Sequence, residues 1–183
     1  MSFRRRFPLF FSILGASLLA CGLPGDSALA QSPAAGAQLL GQFGDWGAYT
    51  ASPGGKKICF ALAKPAVSET VPPGRPRDPA WFFVSTRPAE KVKEEVSVIF
   101  GYPFKANTDA MVEVGNINFA MYTQSDGAWV KNAAEEVRLV DALRRGSADV
   151  TVRGESGRGT KTIDKFSLKG VSQALDRAAQ ECR

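Results

Sequence analysis

The chain of 183 residues contains no histidine. That absence excludes Ser-His-Asp triads, histidine metal sites and a histidine pH switch together. Serines and lysines are numerous, yet none stands in a G-x-S-x-G or S-x-x-K nucleophile motif. With neither imidazole nor a spare thiol, no catalytic constellation is expected, and no cofactor or metal either. A dominant charge is missing too. The whole chain carries +5, and Arg4, Arg5 and Arg6 against Asp26 account for two of those charges in the first 30 residues. The remaining +3 is a mildly basic surface, which excludes the footprint of a nucleic-acid binder. No apolar run is long enough for a comfortable transmembrane helix, which needs about 20 residues. The nearest is Phe7 to Ala20.

What is present begins with that run. Three arginines precede it, Pro24 and Gly25 end it, and Ala28-Leu29-Ala30 follows as a small-x-small cleavage pattern. Residues 1–30 are therefore read as a signal peptide, with a mature N-terminus at Gln31. A competing reading takes "LLAC", Leu18 to Cys21, as a lipobox that would leave Cys21 lipidated. Leucine directly before Ala20 fits that motif less well. The chain has three cysteines, and removal of Cys21 leaves Cys59 and Cys182. In an oxidising compartment two thiols are most simply one disulfide. Export to the periplasm or cell envelope, or secretion, follows as the expected location.

Gln31 to Gln42 reads as a flexible arm and 43–183 as one domain, long enough to build a core. "WGAYTASPGGKKICFALA" places Ser52-Pro53-Gly54-Gly55 between two strand patterns, a β-hairpin. "TVPPGRPRDPA", Thr70 to Ala80, has too many prolines for either regular element and reads as a long exposed loop. Strand patterns resume with "AWFFVSTR", "EVSVIFGY", "AMVEVG", "INFAMYTQ" and "AWVK", the last after an Asp126-Gly127 turn. A helix is expected in "NAAEEVRLVDALRRG", capped by Asn132, ended by Gly146, with Ala134, Val137, Leu139, Val140 and Leu143 on its apolar side. "ADVTVRG" and "TIDKFSLKG" are the last strands. In "VSQALDRAAQEC", Ser172 can cap a second helix whose Val171, Leu175, Ala178 and Cys182 share one face. A helix this short is marginal alone. A bond to Cys59 would fasten it to the first hairpin and contribute roughly 4 to 5 kcal/mol by closing a loop of about 120 residues. Many short strands with two helices point to an all-β fold, a β-sandwich.

"FGDW" at Phe43 to Trp46, "KKICFALA" from Lys56 to Ala63, and the terminal "FSLKGVSQAL…C" from Phe166 to Cys182 resemble the invasion-associated locus B family of Gram-negative bacteria. The resemblance covers nearly all of the mature chain, and its motifs are structural. It implies an immunoglobulin-like β-sandwich exported to the periplasm or envelope, and an association of some members with entry into host cells.

Three candidate sites remain. "GESGRGTK", Gly154 to Lys161, has the glycine spacing of a phosphate-binding P-loop, but Thr160 stands where lysine is required and the segment joins two strands. A flexible hairpin tip is the better reading. Glu94-Glu95 and Glu135-Glu136 are carboxylate pairs, yet adjacent residues point apart on a strand or helix, so solvated faces are expected. Binding has more support. From Arg144 onward nine basic residues face five acidic ones, and Arg144, Arg145, Arg153, Arg158, Lys161 and Lys165 are candidates to gather at one end of the sandwich. Such a cluster favours an anionic partner, an envelope or host-surface lipid head group or acidic polysaccharide. The alternative is an evenly solvated face. Trp46, Trp81 and Trp129 lie in strand patterns, where core packing is the usual role and a ligand platform the other. The expected function is thus an exported, non-enzymatic binder, against the alternative of a small periplasmic hydrolase using paired carboxylates. A deep cleft with two facing acids would favour the hydrolase, and a closed sandwich with a basic end the binder.

Overall fold

A computed structural model of the chain describes residues 36–183. The leader, its cleavage site before Gln31, Cys21 and residues 31–35 of the arm lie outside the described residues. Eleven strands form one antiparallel sheet. They are β1 (Gln38–Phe43), β2 (Trp46–Ala51), β3 (Ile58–Ala63), β4 (Val67–Val71), β5 (Trp81–Arg87), β6 (Val92–Ile99), β7 (Ala110–Val114), β8 (Ile117–Gln124), β9 (Gly127–Val130), β10 (Asp149–Glu155) and β11 (Lys161–Ser167). Helix α1 spans Ala133–Arg145 and α2 spans Val171–Glu181. The strand order is β1-β2-β3-β5-β6-β9-β8-β7-β10-β11-β4.

The all-β fold expected from the strand spacing is present, and its sandwich-like form comes from one sheet folding over on itself. Phe82 on β5 meets Phe166 on β11 edge to face at 5.4 Å, although five strands lie between them in the sheet. Their shared inner face holds the core, with Trp46, Phe82, Phe100, Phe119, Met121 and Phe166 among its largest fully buried side chains. Period-2 alternation selects that face: Val96 and Val98 on β6, Val112 and Val114 on β7, and Val150 and Val152 on β10 are all buried.

The three motif segments meet at one place. The turn between β1 and β2 backs onto the turn between β11 and α2, where the Asp45 N–H donates to the Lys169 carbonyl and Trp46 Nε1 donates to the Ser167 carbonyl at 2.7 Å. Gly44 and Gly170 permit the approach. Both have positive φ, and a Cβ on Gly170 would stand 1.8 Å from the Phe43 carbonyl oxygen. Cys59 on β3 is bonded to Cys182, with Cα atoms 5.9 Å apart. Lys57 adds a second tie, donating to the backbone carbonyl and carboxylate of Glu181. Helix α2 buries Val171, Ala174, Leu175 and Ala178, as its period requires. Its first turn is entered through Gly170, and the Ser172 hydroxyl donates to the Arg144 carbonyl instead of capping α2.

Four other expectations are corrected. The expected arm is strand from Gln38 onward, because β1 pairs along β2 and its Leu40 and Phe43 pack on the core. Val67 to Val71 is an edge strand on β11, so the proline-rich loop starts at Pro72. The turn before β9 is Ser125-Asp126, with Ser125 at positive φ, while Gly127 is a strand residue whose missing side chain leaves room for the Trp129 ring. On α1 the buried residues are Leu139, Val140, Ala142 and Leu143, and Val137 is 63 % exposed. Asn132 does cap it, accepting from the Glu135 N–H at 3.0 Å.

Candidate anion-binding face and groove

Hairpin β10–β11 carries four of the six basic residues singled out by sequence. Thr162, Asp164 and Phe166 turn inward and are buried, so Lys161 and Lys165 lie on the outer face with Arg153, which is registered opposite Ile163. Arg158 sits at the tip. Arg153 reaches Glu113 at 3.5 Å. Arg158, Lys161 and Lys165 are exposed and make no ion pair among the described residues.

Arg144 and Arg145 do not join them. They end α1, at the base of the hairpin, and β10 then covers about 20 Å before the tip. Arg144 is a clamp: its guanidinium bridges Glu94 on β6 at 2.8 Å and Asp176 on α2 at 2.7 Å. Arg145 faces Asp141 one turn back at 3.5 Å.

The carboxylate pairs are engaged as well. Glu95 takes a bidentate bond from Arg87, and Glu94, at positive φ, donates its N–H to Thr86 Oγ1. Glu135 pairs with Arg138. Glu136 departs from the expected solvated role, since its carboxylate is turned inward and accepts the Val96 N–H at 2.7 Å. Burial, aided by the nearby Glu95 charge, raises its pKa against that hydrogen bond. A carboxyl whose folded pKa is raised adds stability at low pH that is lost as pH climbs through its titration. Glu136→Gln, which keeps an acceptor for Val96, is therefore expected to hold or raise the melting temperature at pH 7 and to flatten its decline from acid to neutral pH. A lower melting temperature at pH 7 with the slope unchanged would contradict this account. None of the four glutamates lines the groove that runs beside the tip of hairpin β10–β11.

Of the tryptophans, Trp46 is a core residue and Trp81 is buried in a small outer-face cluster with Phe60 and Leu62. Trp129 is half-buried and stacks on the exposed Tyr122.

Sequence reasoning missed what lies beside the hairpin tip. A groove of about 830 Å³ runs between the proline-rich loop, the turn after β6 and the tip itself, lined among others by Arg75, Arg77, Tyr102, Arg158, Thr160 and Thr162. Beneath it Asp164 is fully buried. Arg77 pairs with Asp164 Oδ1, and Ser68 Oγ donates to the same oxygen at 2.7 Å. The other Arg77 arm donates to the Phe100 carbonyl at 3.0 Å. The Tyr102 hydroxyl is 2.6 Å from Thr162 Oγ1, and burial pushes the phenol up to about 12, so it is neutral at physiological pH. The tip is not loose: Gly157 N–H donates to the Pro103 carbonyl, and Ser156 and Thr160 bond across it. Only the inward position of Asp164 in "TIDKF" signalled the missing partner, an acid where alternation demands an apolar residue.

A protein-family model described as "Invasion associated locus B (IalB) protein" matches residues 46–179. The chain belongs to the IalB family. No curated protein and no solved structure matches it. The match begins at Trp46 on β2, includes Cys59 and most of α2, and ends before Cys182. Among the described residues no cluster of three acidic or cysteine side chains is arranged to hold a metal ion, and no helix is long and apolar enough to cross a membrane.

Proposed function

We propose that this IalB-family protein is exported to the periplasm or cell envelope, or secreted, and acts there without catalysis by binding an anionic envelope or host-surface partner. The observation that carries the reading is the set of unpaired cations Arg158, Lys161 and Lys165 on one hairpin, while Arg153 and Lys105 beside them are paired with Glu113 and Glu155. Unpaired surface cations keep their field available to a partner. The disulfide suits an oxidising compartment, and the leader pattern supplies the route. The engaged state of the four glutamates speaks for this reading over the hydrolase.

Purified protein is expected to co-sediment with vesicles containing anionic phospholipid, or with acidic polysaccharide, and not with neutral counterparts. Association should weaken as salt rises. Reversing Lys161→Glu and Lys165→Glu together should reduce it at least about tenfold, each surface charge near an anionic layer contributing on the order of 1 kcal/mol. Lys165 is exposed with no acid opposite it, so its reversal should leave the melting temperature unchanged, while a glutamate at Lys161 faces Glu155 across the β10–β11 pair and should lower it slightly. Binding indifferent to salt and to both reversals would reject the reading.

A further inference from the structure

The groove beside the hairpin tip is a separate site from the outer face of β11, and it is built before any ligand arrives. Three loops form its walls, and each is tied down. The proline-rich loop is pinned by Arg77 on buried Asp164, the tip by Gly157 on Pro103, and Tyr102 by Thr162. Two arginines at its rim, Arg75 and Arg158, are exposed and have no acidic partner among the described residues, while Asp78 is the one acid in the lining. Guanidinium groups are planar forks suited to carboxylate and phosphate oxygens. The remaining polar groups are mostly hydroxyls, from Thr70, Thr160, Thr162 and Tyr102, set among prolines and glycines.

We infer that this groove binds an acidic saccharide, whose carboxylate or phosphate is taken by Arg75 and Arg158 while its hydroxyls meet the threonine-lined floor. The inference rests on the anionic-partner reading above and names a site and a ligand class for it. A bilayer surface is flat and reaches only the rim of a concavity. An extended peptide pairs along a strand edge, but only Thr70 and Thr162 of the lining belong to strands, and these two are registered on each other.

Calorimetric titration of the whole exported protein with a uronic-acid oligosaccharide, a phosphorylated oligosaccharide, a neutral oligosaccharide of equal length and an acidic peptide tests it. One or both acidic sugars should bind at least tenfold more tightly than the neutral sugar and the peptide, and comparison of the two identifies which anion the site takes. Arg75→Gln with Arg158→Gln should weaken that binding at least tenfold at unchanged melting temperature, and Lys165→Gln should leave it intact. Equal binding of the neutral sugar, preference for the peptide, or no response to the two arginine substitutions would overturn the groove assignment. Vesicle or polysaccharide association that persists in the Arg75→Gln, Arg158→Gln protein, with no oligosaccharide bound by either form, would remove the groove and leave the hairpin reading standing. Acidic-oligosaccharide binding that needs Arg75 and Arg158, in a protein that does not associate with anionic vesicles, would remove the hairpin reading and leave the groove standing.

Discussion

Cys182→Ser is expected to lower the melting temperature by roughly 10 °C. The bond joins residues separated by 123 positions. Loss of that cross-link restores several kcal/mol of chain entropy to the unfolded state, about 4 to 5 kcal/mol in the loop-closure account, and each kcal/mol moves a domain of this size by about 2 to 4 °C. The effect is concentrated on α2. That helix is 11 residues long, too short to persist without the sheet it covers, and Lys57 to Glu181 is an exposed tie that contributes little once the sulfur bond is gone. Hydrogen exchange in α2 should therefore rise before that of β5 and β6. Intact mass with and without reductant should differ by two hydrogens. A variant that melts within about 2 °C of the parent, or an exported protein with two freely alkylated thiols, would remove the disulfide from this role.

Arg77→Leu should cost about 3 to 5 kcal/mol, because it leaves the fully buried Asp164 carboxyl without its counter-ion. Ser68 alone cannot replace the guanidinium, and Asp164 Oδ2 already lacks a hydrogen-bond partner. The double substitution Arg77→Leu, Asp164→Leu should recover most of that loss, since an apolar pair of similar volume escapes the desolvation cost of both charges. Chemical denaturation of the two single variants and the double variant measures the coupling. If the double variant is as unstable as the sum of the singles, the pair is not coupled and the loop is held in some other way.

How far the strands could be read depended on what each element packs against. Where one face meets the core, as in "EVSVIF" or "ADVTV", alternation alone marks the strand and its inward residues. Edge strands β1 and β4 escaped because their pattern carries little alternation: Leu39, Val67 and Val71 are exposed, and pairing with a single neighbour holds them. Val137 and Glu136 exchanged their expected roles for a related reason. An apolar residue on a helix is drawn inward only if a surface waits for it, and at that turn of α1 the waiting group was the Val96 N–H.

The candidate site divides in the same manner. Arg153, Arg158, Lys161 and Lys165 were legible because a single hairpin connects them through the chain. Arg144 was not, because its partners Glu94 and Asp176 are 50 and 32 residues away in sequence and only folding decides that it is neutralised. Arg75 and Arg77 carry no signal within a proline-rich loop read as exposed, and only folding sets that loop against Asp164.

The sequence by itself determined the class of chain: β-rich by its period-2 runs, tied by two cysteines, without imidazole chemistry, and bearing the motif segments of its family. These are local properties, set by side-chain type and short-range spacing. Tertiary structure alone decided which charges are free. A cation is a binding group or a clamp according to whether an acid distant in sequence comes within a few ångströms of it, and that distance is a property of how the sheet folds over.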